Sequence, residues 1–250
     1  MKKSMKIIIH GALGRMGKVL SQVIEESSHS VVALVDMGYT TDASSLCYNS
    51  LEEFGGEADV IIDFSSHLAT KSVTDYAVSR NLPLVLCSTG QTEEELEIIK
   101  TASQSIPLFR SANMSVGIAF LAEVSRVATA LFGSADIEII EKHHNKKADA
   151  PSGTALLIAD KIKSVRPELE YNMGRSGYGV RTPNELGIHA IRAGNIVGDH
   201  EVIINTGSQQ ITLKHEAFDR RVFAEGAVSA AEFLIEKTAG AYDMADIVRI

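Results

Sequence analysis

Short apolar runs alternate with helical periodicity through the first half of the chain. Residues 6–10, 31–35, 59–64, 82–86 and 106–109 are mostly apolar, which predicts five buried strands. The segments between them predict helices over 17–26, 67–81 and 92–104. Apolar strands that alternate with helices are typical of a parallel sheet covered on both faces. This half therefore predicts a doubly wound α/β domain.

The pattern changes after Ser115. Three apolar stretches separated by glycine fill 187–215, which favours hairpins over strand–helix–strand units. The other predicted elements are a helix over 116–132, a strand over 136–141, a helix over 153–165 and a closing helix over 221–238. The second half therefore predicts a different, α+β architecture.

Composition limits the class of protein. The 250 residues are 45% hydrophobic and carry a net charge of −8, so we expect one large or two small domains and no nucleic-acid partner. Cys47 and Cys87 predict no disulfide framework. The apolar run from Ile7 to Ile9 is too short for a signal-peptide core, and no run approaches the about 18 apolar residues of a membrane span. We therefore expect a soluble cytoplasmic protein with no membrane partner.

A glycine loop follows the first predicted strand. Gly11, Gly14 and Gly17 form a G-x-x-G-x-x-G pattern that opens the next helix. Glycines there permit a tight turn and close approach of a pyrophosphate to the helix start. Asp36 ends the second strand, where a carboxylate accepts hydrogen bonds from ribose hydroxyls. The alternative is an ordinary turn plus a surface aspartate, but the combination favours a dinucleotide site.

Two further loops, after the strands at 82–86 and 106–109, carry small and polar residues suited to a nicotinamide ribose and carboxamide, although ordinary turn chemistry explains each loop equally well. The predicted cofactor-binding residues are Gly11, Ala12, Leu13, Gly14, Arg15, Met16, Asp36, Cys87, Ser88, Thr89, Ser111, Ala112, Asn113 and Met114. We assign a Rossmann-type dinucleotide-binding domain with a doubly wound parallel sheet to 1–114 and 224–250. A smaller α+β substrate domain with a mixed or antiparallel sheet takes 115–223, and the change of domain falls near Asn113 to Ser115.

Residues 141–155, EKHHNKKADAPSGTA, bring imidazole and ammonium groups together. Adjacent residues on an extended chain point in opposite directions, so we expect either His143 or His144 to face a site while the other packs. Histidine gains or loses a proton near neutral pH, and a nearby lysine supplies positive charge. A structural or surface histidine pair and a metal site are the alternatives, but no cysteine or regular histidine spacing completes a metal site.

A helix start follows the basic residues. Ser152 is a suitable N-cap, and Ala155 at the return position rules out a capping box. The backbone amides of Gly153 and Thr154 are then available to bind a carboxylate. The segment therefore predicts an anion pocket that contains an acid–base group.

These residues resemble those of a known family. E-x-H-H-x-x-K-x-D-A-P-S-G-T-A at 141–155 is very similar to the signature of the 4-hydroxy-tetrahydrodipicolinate reductases, the dihydrodipicolinate reductases of lysine and diaminopimelate synthesis. Other matching motifs occur in family order: the glycine loop at 11–17, D-F-S at 63–65, S-A-N-M-S-V-G at 111–117, I-R-A-G-N-I-V-G-D-H at 191–200 and F-A-x-G-A-V at 223–228. The resemblance covers essentially the whole chain.

The resemblance implies a hydride transfer from a nicotinamide to a conjugated cyclic imine, followed by protonation on carbon. The implied catalytic residues are His143, as proton donor, and Lys147, and the implied substrate-binding residues are His144, Lys147, Ser152, Gly153 and Thr154. The substrate is a cyclic dicarboxylate, no metal takes part, and family members are commonly homotetramers assembled through the sheet of the second domain.

Three departures from the family pattern concern the cofactor. Asp36-Met37 stands where the family often has Glu-Arg, the region from Met37 to Glu57 is shorter than in many members, and Cys87-Ser88-Thr89-Gly90 replaces G-T-T-G. A carboxylate without its arginine repels a 2′-phosphate, so we expect NADH to be preferred and NADPH still to be used. The alternatives are another two-domain amino-acid dehydrogenase, such as one acting on an aspartate-derived aldehyde, or a non-catalytic dinucleotide sensor.

Overall fold

The structure is a computed structural model that describes residues 4–249. Its strands are β1 (Lys6–His10), β2 (Ser30–Val35), β3 (Cys47–Tyr48), β4 (Val60–Asp63), β5 (Leu84–Leu86), β6 (Pro107–Arg110), β7 (Asp136–His143), β8 (Glu170–Asn172), β9 (Glu185–Arg192), β10 (Gly198–Asn205), β11 (Gln210–Ala217) and β12 (Gly240–Tyr242). Its helices are α1 (Arg15–Glu25), α2 (Thr70–Arg80), α3 (Glu93–Ser103), α4 (Val116–Leu131), α5 (Gly153–Lys163), α6 (Arg221–Leu234) and α7 (Met244–Ile247).

The chain divides into two compact units. The first contains the chain up to Ser115 together with Arg220–Ile247, and the second contains Val116–Asp219 and the residues from Val248. Each unit has its own sheet and its own hydrophobic core.

The sheet of the first unit has seven strands in the order β12-β6-β5-β4-β1-β2-β3. Every pairing in it is parallel. Strands β4 and β5 are buried throughout and β1 is buried from Ile7 to Ile9, in keeping with their apolar sequences. The predicted doubly wound parallel sheet is therefore confirmed, whereas the short edge strands β3 and β12 were not predicted because they are too short to give a sequence pattern.

Two glycines allow the turn from β1 into α1. Gly11 has φ +80°, and a Cβ on it would lie 2.6 Å from the backbone nitrogen of Ser65. A Cβ on Gly17 would lie 2.3 Å from the carbonyl oxygen of Gly11. Both contacts are too close for any side chain, so glycine is required for the turn and for packing α1 against the sheet.

The sheet of the second unit is mixed and has the order β11-β10-β7-β9-β8. The hairpin expected within 187–215 is present as the antiparallel pair β10–β11. The expectation fails for β9, because β9 runs parallel to β7, and β7 lies between β9 and β10. The path from β7 to β9 includes α5, which provides the crossover that a parallel pair needs.

Helices α3 and α5 begin at the polar residues that the sequence indicated. Thr92 and Glu95 form a capping box at the start of α3. The hydroxyl oxygen of Ser152 accepts a hydrogen bond from the backbone N–H of Ala155, so Ser152 caps α5 as predicted.

Candidate active site

The carboxyl ends of the parallel strands place the predicted cofactor residues along one edge of the first sheet. Gly11 to Met16 follow β1, Asp36 follows β2, Cys87 to Thr89 follow β5, and Ser111 to Met114 follow β6. Parallel strands share the edge at which they end, and ligands of doubly wound sheets bind outside this edge.

A cleft of about 560 Å³ lies at this edge. Its lining includes Gly11, Gly14 and Asp36 from the predicted set. It also includes His10 and Ser65, which sequence reasoning did not assign although Ser65 belongs to the D-F-S motif. The missing side chains at the glycines leave room for a pyrophosphate, and the first turn of α1 has N–H groups without intrahelical acceptors. These features fit a nicotinamide dinucleotide.

Asp36 is fixed at the side of this cleft. Its Oδ2 accepts a hydrogen bond from the backbone N–H of Leu13 at 3.1 Å, and its Oδ1 accepts one from Gly38 at 3.0 Å. The next side chain, Met37, is 89% exposed. The glycine loop and the end of β2 are therefore joined through a single carboxylate.

Side chains tie the loop after β5 to the end of β6. Gln91 donates to the carbonyl oxygen of Ser88 at 2.9 Å, and Arg110 donates to Gln91 Oε1 at 3.0 Å. Cys87 is buried, and burial, together with the charge of Asp63, raises the pKa of its thiol well above the usual value. Its side chain is thus a neutral part of the core.

The proposed acid–base group lies in the second unit. Strand β7 was expected to end at Glu141 but continues to His143, because Lys142 pairs with both β9 and β10 and His143 pairs with β9. Burial alternates along the strand, so Glu141 and His143 share the buried face. The Nδ1–H of His143 donates to Glu141 Oε2 at 2.6 Å. His144 is half-buried, as expected if the two histidines point apart.

Glu141 is 0% exposed and accepts hydrogen bonds from three elements. Besides His143, its partners are the backbone N–H of Ser152 at 3.0 Å and the guanidinium of Arg192 at 2.7 and 2.8 Å. Burial raises the pKa of this carboxyl, but the bonds from His143, Arg192 and Ser152 outweigh burial and bring the pKa down to about 2. Glu141 is therefore a buried carboxylate anion at neutral pH.

His200 packs against His143. The two rings meet edge to face with centroids 5.2 Å apart, and His200 Nε2 lies 3.3 Å from the hydroxyl oxygen of Ser152. Burial, followed by the neighbouring imidazole of His143, lowers the pKa of His200 to about 3. His200 is thus a neutral ring that supports both His143 and the start of α5.

Lys147 is the lysine of the segment that lies close to the helix start. Its ammonium lies 2.9 Å from Asp149 Oδ1, and its side chain is 23% exposed. The hydrogen bond from the ammonium of Lys147 lowers the pKa of Asp149, and the backbone N–H of Gly153 contributes to the same shift. The amide of Gly153, which was expected to be available to a ligand, therefore already interacts with an internal carboxylate, whereas Lys146 is exposed.

Glu141, Arg192 and His200 were not predicted as site residues. Each of them stands inside a quoted motif, Glu141 at the start of the signature and the other two in I-R-A-G-N-I-V-G-D-H. Among residues 4–249, no three histidine, cysteine or carboxylate side chains are arranged to hold a metal ion. No helix in the described part of the chain is both long and apolar enough to cross a membrane.

Comparison with known families accounts for both units. The family model described as dihydrodipicolinate reductase, N-terminus, matches residues 5–114, and the one described as dihydrodipicolinate reductase, C-terminus, matches residues 117–248. The chain belongs to the dihydrodipicolinate reductase family. The resemblance inferred from the motifs is therefore confirmed.

Individual relatives of this family agree over nearly the full length. A protein named 4-hydroxy-tetrahydrodipicolinate reductase from Caldanaerobacter subterraneus subsp. tengcongensis is 48% identical over 247 residues, 98% of each chain. One of the same name from Clostridium tetani is 45% identical and covers 96% of this chain and 95% of its own. The dipicolinate-bound dihydrodipicolinate reductase from Paenisporosarcina sp. TG-14 shares the fold, with a TM-score of 0.81 at 23% identity over 98% of this chain and 100% of that one.

Proposed function

We propose that this member of the dihydrodipicolinate reductase family reduces 4-hydroxy-tetrahydrodipicolinate, by way of dihydrodipicolinate, to tetrahydrodipicolinate with NADH or NADPH. One observation carries the proposal. A single buried carboxylate, Glu141, contacts both the acid–base candidate His143 at 2.6 Å and the start of α5 at Ser152 at 3.0 Å. A proton donor and an anion-binding helix start are thus held together, as reduction of a dicarboxylate requires.

The first unit supplies the dinucleotide site. When bound, the nicotinamide supplies the hydride for reduction of the conjugated imine. Gly11 and Gly14 let the backbone approach a pyrophosphate, the start of α1 offers N–H groups, and Asp36 accepts hydrogen bonds from the adenosine ribose. The loops at Cys87 to Thr89 and Ser111 to Met114 line the path towards the nicotinamide end.

The second unit supplies the groups that act on the substrate. His143 delivers its proton from Nε2 to the carbon that has gained negative character, because Nδ1 is bonded to Glu141. Lys147, His144 and the N-terminal turn of α5 at Ser152, Gly153 and Thr154 hold the carboxylates of the substrate. The ammonium lies beside the helix start, which suits a single carboxylate contacting both.

Assembly and location are part of the proposal. The face of the second sheet opposite α4 and α5 carries Ile140, Ile191 and Ile203, which are half-buried or exposed in the single chain. Apolar side chains on an open sheet face favour burial against another copy. We propose a cytoplasmic homotetramer assembled through this face. Light scattering coupled to gel filtration tests the assembly, and Ile203→Asp is expected to yield smaller species.

A coupled assay tests the reaction. Dihydrodipicolinate synthase generates the substrate in place, and oxidation of NADH or NADPH is followed at 340 nm. We expect turnover only when the synthase product is present, and a loss of kcat of about 10²–10⁴-fold in His143→Ala with little change in NADH binding. Turnover of an aspartate-derived aldehyde instead would identify a different dehydrogenase, and NADH binding without any turnover would identify a sensor.

A further inference from the structure

Two oppositely charged residues lie behind the proposed proton donor. Glu141, on β7, has no exposed surface, and Arg192, at the end of β9, donates to both of its carboxylate oxygens at 2.8 and 2.7 Å. A bidentate arginine fixes the plane of a carboxylate as well as its charge. The remaining acceptor capacity of Glu141 is used by His143 and by the amide of Ser152.

Arg192 also reaches the loop that carries Lys147. Its Nη2 donates to the carbonyl oxygen of Asp149 at 2.6 Å. Two backbone bonds tie the same strand end to this loop, from Ala193 to the oxygen of His143 at 2.9 Å and from Asn145 to the oxygen of Gly194 at 3.1 Å. One guanidinium therefore contacts the carboxylate that orients the histidine and the backbone that leads from Lys147 to α5.

The carboxylate selects which nitrogen of His143 reacts. A carboxylate anion can only accept, so Nδ1 carries the hydrogen and Nε2 is left to exchange a proton with a ligand. The chain leaves space at Nε2, because a Cβ on Gly198 would lie only 3.1 Å from that atom. Glycine at this position thus keeps the reactive nitrogen uncrowded.

We infer that Glu141 and Arg192 are positioning residues for the reaction, an inference that rests on the proposed function. Glu141 holds His143 in the orientation and tautomer that present Nε2, and Arg192 locks this pair to the loop of Lys147, so that the proton donor and the carboxylate-binding cation keep a fixed relation. Neither residue is assigned contact with the substrate.

A second glutamate on β7 provides a control that distinguishes a positioning role of Glu141 from a purely structural role in the sheet. Glu138, also on β7, lies 2.8 Å from His189 Nε2 and accepts from Arg181 at 3.1 Å. It is thus a second Glu–His–Arg set in the same sheet, outside the proposed site. If Glu141 and Arg192 only stabilise the sheet, Glu141→Gln and Glu138→Gln should both lower the stability of the protein and should have the same effect on kcat.

The experiment compares Glu141→Gln, Arg192→Gln and Glu138→Gln in the coupled assay, with thermal unfolding measured alongside. We expect Glu141→Gln to lower kcat by about 10²-fold with little change in the KM for NADH, since an amide can bond either tautomer. Arg192→Gln is expected to lower kcat and also to weaken dicarboxylate binding, because it releases the Lys147 loop. Glu138→Gln is expected to keep wild-type kcat.

A spectroscopic readout accompanies the kinetics. In protein labelled with ¹⁵N-histidine, the ring nitrogens of His143 in the wild type should show hydrogen on Nδ1 at alkaline pH, and Glu141→Gln should show a mixture. If Glu141→Gln does not fold, Glu141→Asp keeps the charge but withdraws it by one methylene, and a loss of kcat of at least about tenfold in folded Glu141→Asp supports the inference.

The outcomes distinguish this inference from the function on which it rests. If His143→Ala is inactive but folded Glu141→Gln has wild-type kcat, the positioning role of Glu141 is overturned. Where Glu141→Gln does not fold, wild-type kcat in Glu141→Asp overturns it instead. Equal losses of kcat in Glu141→Gln and Glu138→Gln also overturn it. Wild-type turnover in His143→Ala would show that His143 is not the proton donor, which contradicts the proposed function and not only the positioning role.

Discussion

The ammonium nitrogen of Lys147 lies 2.9 Å from the carboxylate oxygen Oδ1 of Asp149, and the N–H of Gly153 contributes to lowering the pKa of that same carboxyl. These are two of the groups proposed to hold a substrate carboxylate. An internal carboxylate thus contacts the anion site, and a dicarboxylate ligand has to compete with it.

Replacing this internal competitor should tighten ligand binding. Asp149 is 56% exposed, so its pair with Lys147 is worth roughly 0.2–1 kcal/mol, the range for solvent-exposed ion pairs. Asp149→Asn should therefore bind pyridine-2,6-dicarboxylate about 1.4- to fivefold more tightly in calorimetry with dinucleotide present. Asp136→Asn is the control, because Asp136 is 57% exposed and pairs with Arg181 in the same unit. Weaker binding by Asp149→Asn would mean that Asp149 orients Lys147 for the ligand.

The two neighbouring lysines should differ in importance. Lys147 is 23% exposed and lies beside the start of α5, whereas Lys146 is exposed. Lys147→Ala should lower kcat/KM by about 10²-fold, since a charge-assisted bond to a carboxylate contributes about 1.5–3 kcal/mol. Lys146→Ala should stay within about threefold of wild type. Equal kinetic effects in the coupled assay would show that the register of the motif is wrong.

Acid should destabilise the second unit through His200. Its pKa is about 3 in the folded protein against 6.5 ordinarily, so between these values the unfolded chain takes up a proton that the folded chain does not. This stability is present above pH 6.5 and is lost as pH falls, by roughly 2 kcal/mol between pH 7 and pH 5. Glu141, with a pKa of about 2 against 4.5, adds a loss in the same direction below pH 4.5.

Urea unfolding at pH 7, 6 and 5 measures this dependence. His200→Phe keeps an aromatic ring against His143 and removes the titrating group, so its free energy of unfolding should change less over this range than that of the wild type. His189→Phe, on β9 of the same sheet, is the comparison. If the free energy of unfolding of His200→Phe falls with pH as steeply as that of the wild type, the proton is taken up at another residue.

The part of the fold that follows local sequence was predictable. Five apolar runs became parallel strands, with bounds within two residues of those expected, because burial on both faces leaves an uninterrupted apolar pattern. The parallel pairing of β9 with β7 was not predicted, because strand partners are set by contacts far apart in sequence and both strands would read the same in a hairpin.

In the candidate site, too, the residues within one short segment could be predicted from the sequence, and the contacts between distant segments could not. His143, Lys147 and Ser152 stand in one short segment whose residue types indicate their chemistry. Arg192 contacts Glu141 across 51 residues of sequence, and a charged residue carries no local sign that it will be fully buried. The network behind the proposed proton donor therefore had to be seen in three dimensions, although its members were already present in the matching motifs.

The choice of dinucleotide should depend on Asp36 and Met37. Both carboxylate oxygens of Asp36 are anchored, to Leu13 and Gly38, so the charge stays at the side of the cleft where an adenosine ribose would lie. Met37 is 89% exposed and has no charge to offset it. Repulsion of a 2′-phosphate by about 1 kcal/mol or somewhat more favours NADH over NADPH about tenfold in KM.

Substitution at Met37 tests this account of cofactor choice. Met37→Arg places a cation beside Asp36 on an exposed chain, where a guanidinium can pair with a 2′-phosphate, and it should lower the KM for NADPH while leaving that for NADH nearly unchanged. Met37→Gln is the control, because it adds a polar group of similar length without charge. It should leave the ratio of kcat/KM for NADH to that for NADPH unchanged. The measurement is kcat/KM for both dinucleotides in the coupled assay. A wild-type preference for NADPH would mean that Arg15 or Lys18, which are exposed on the first turn of α1, outweigh the charge of Asp36.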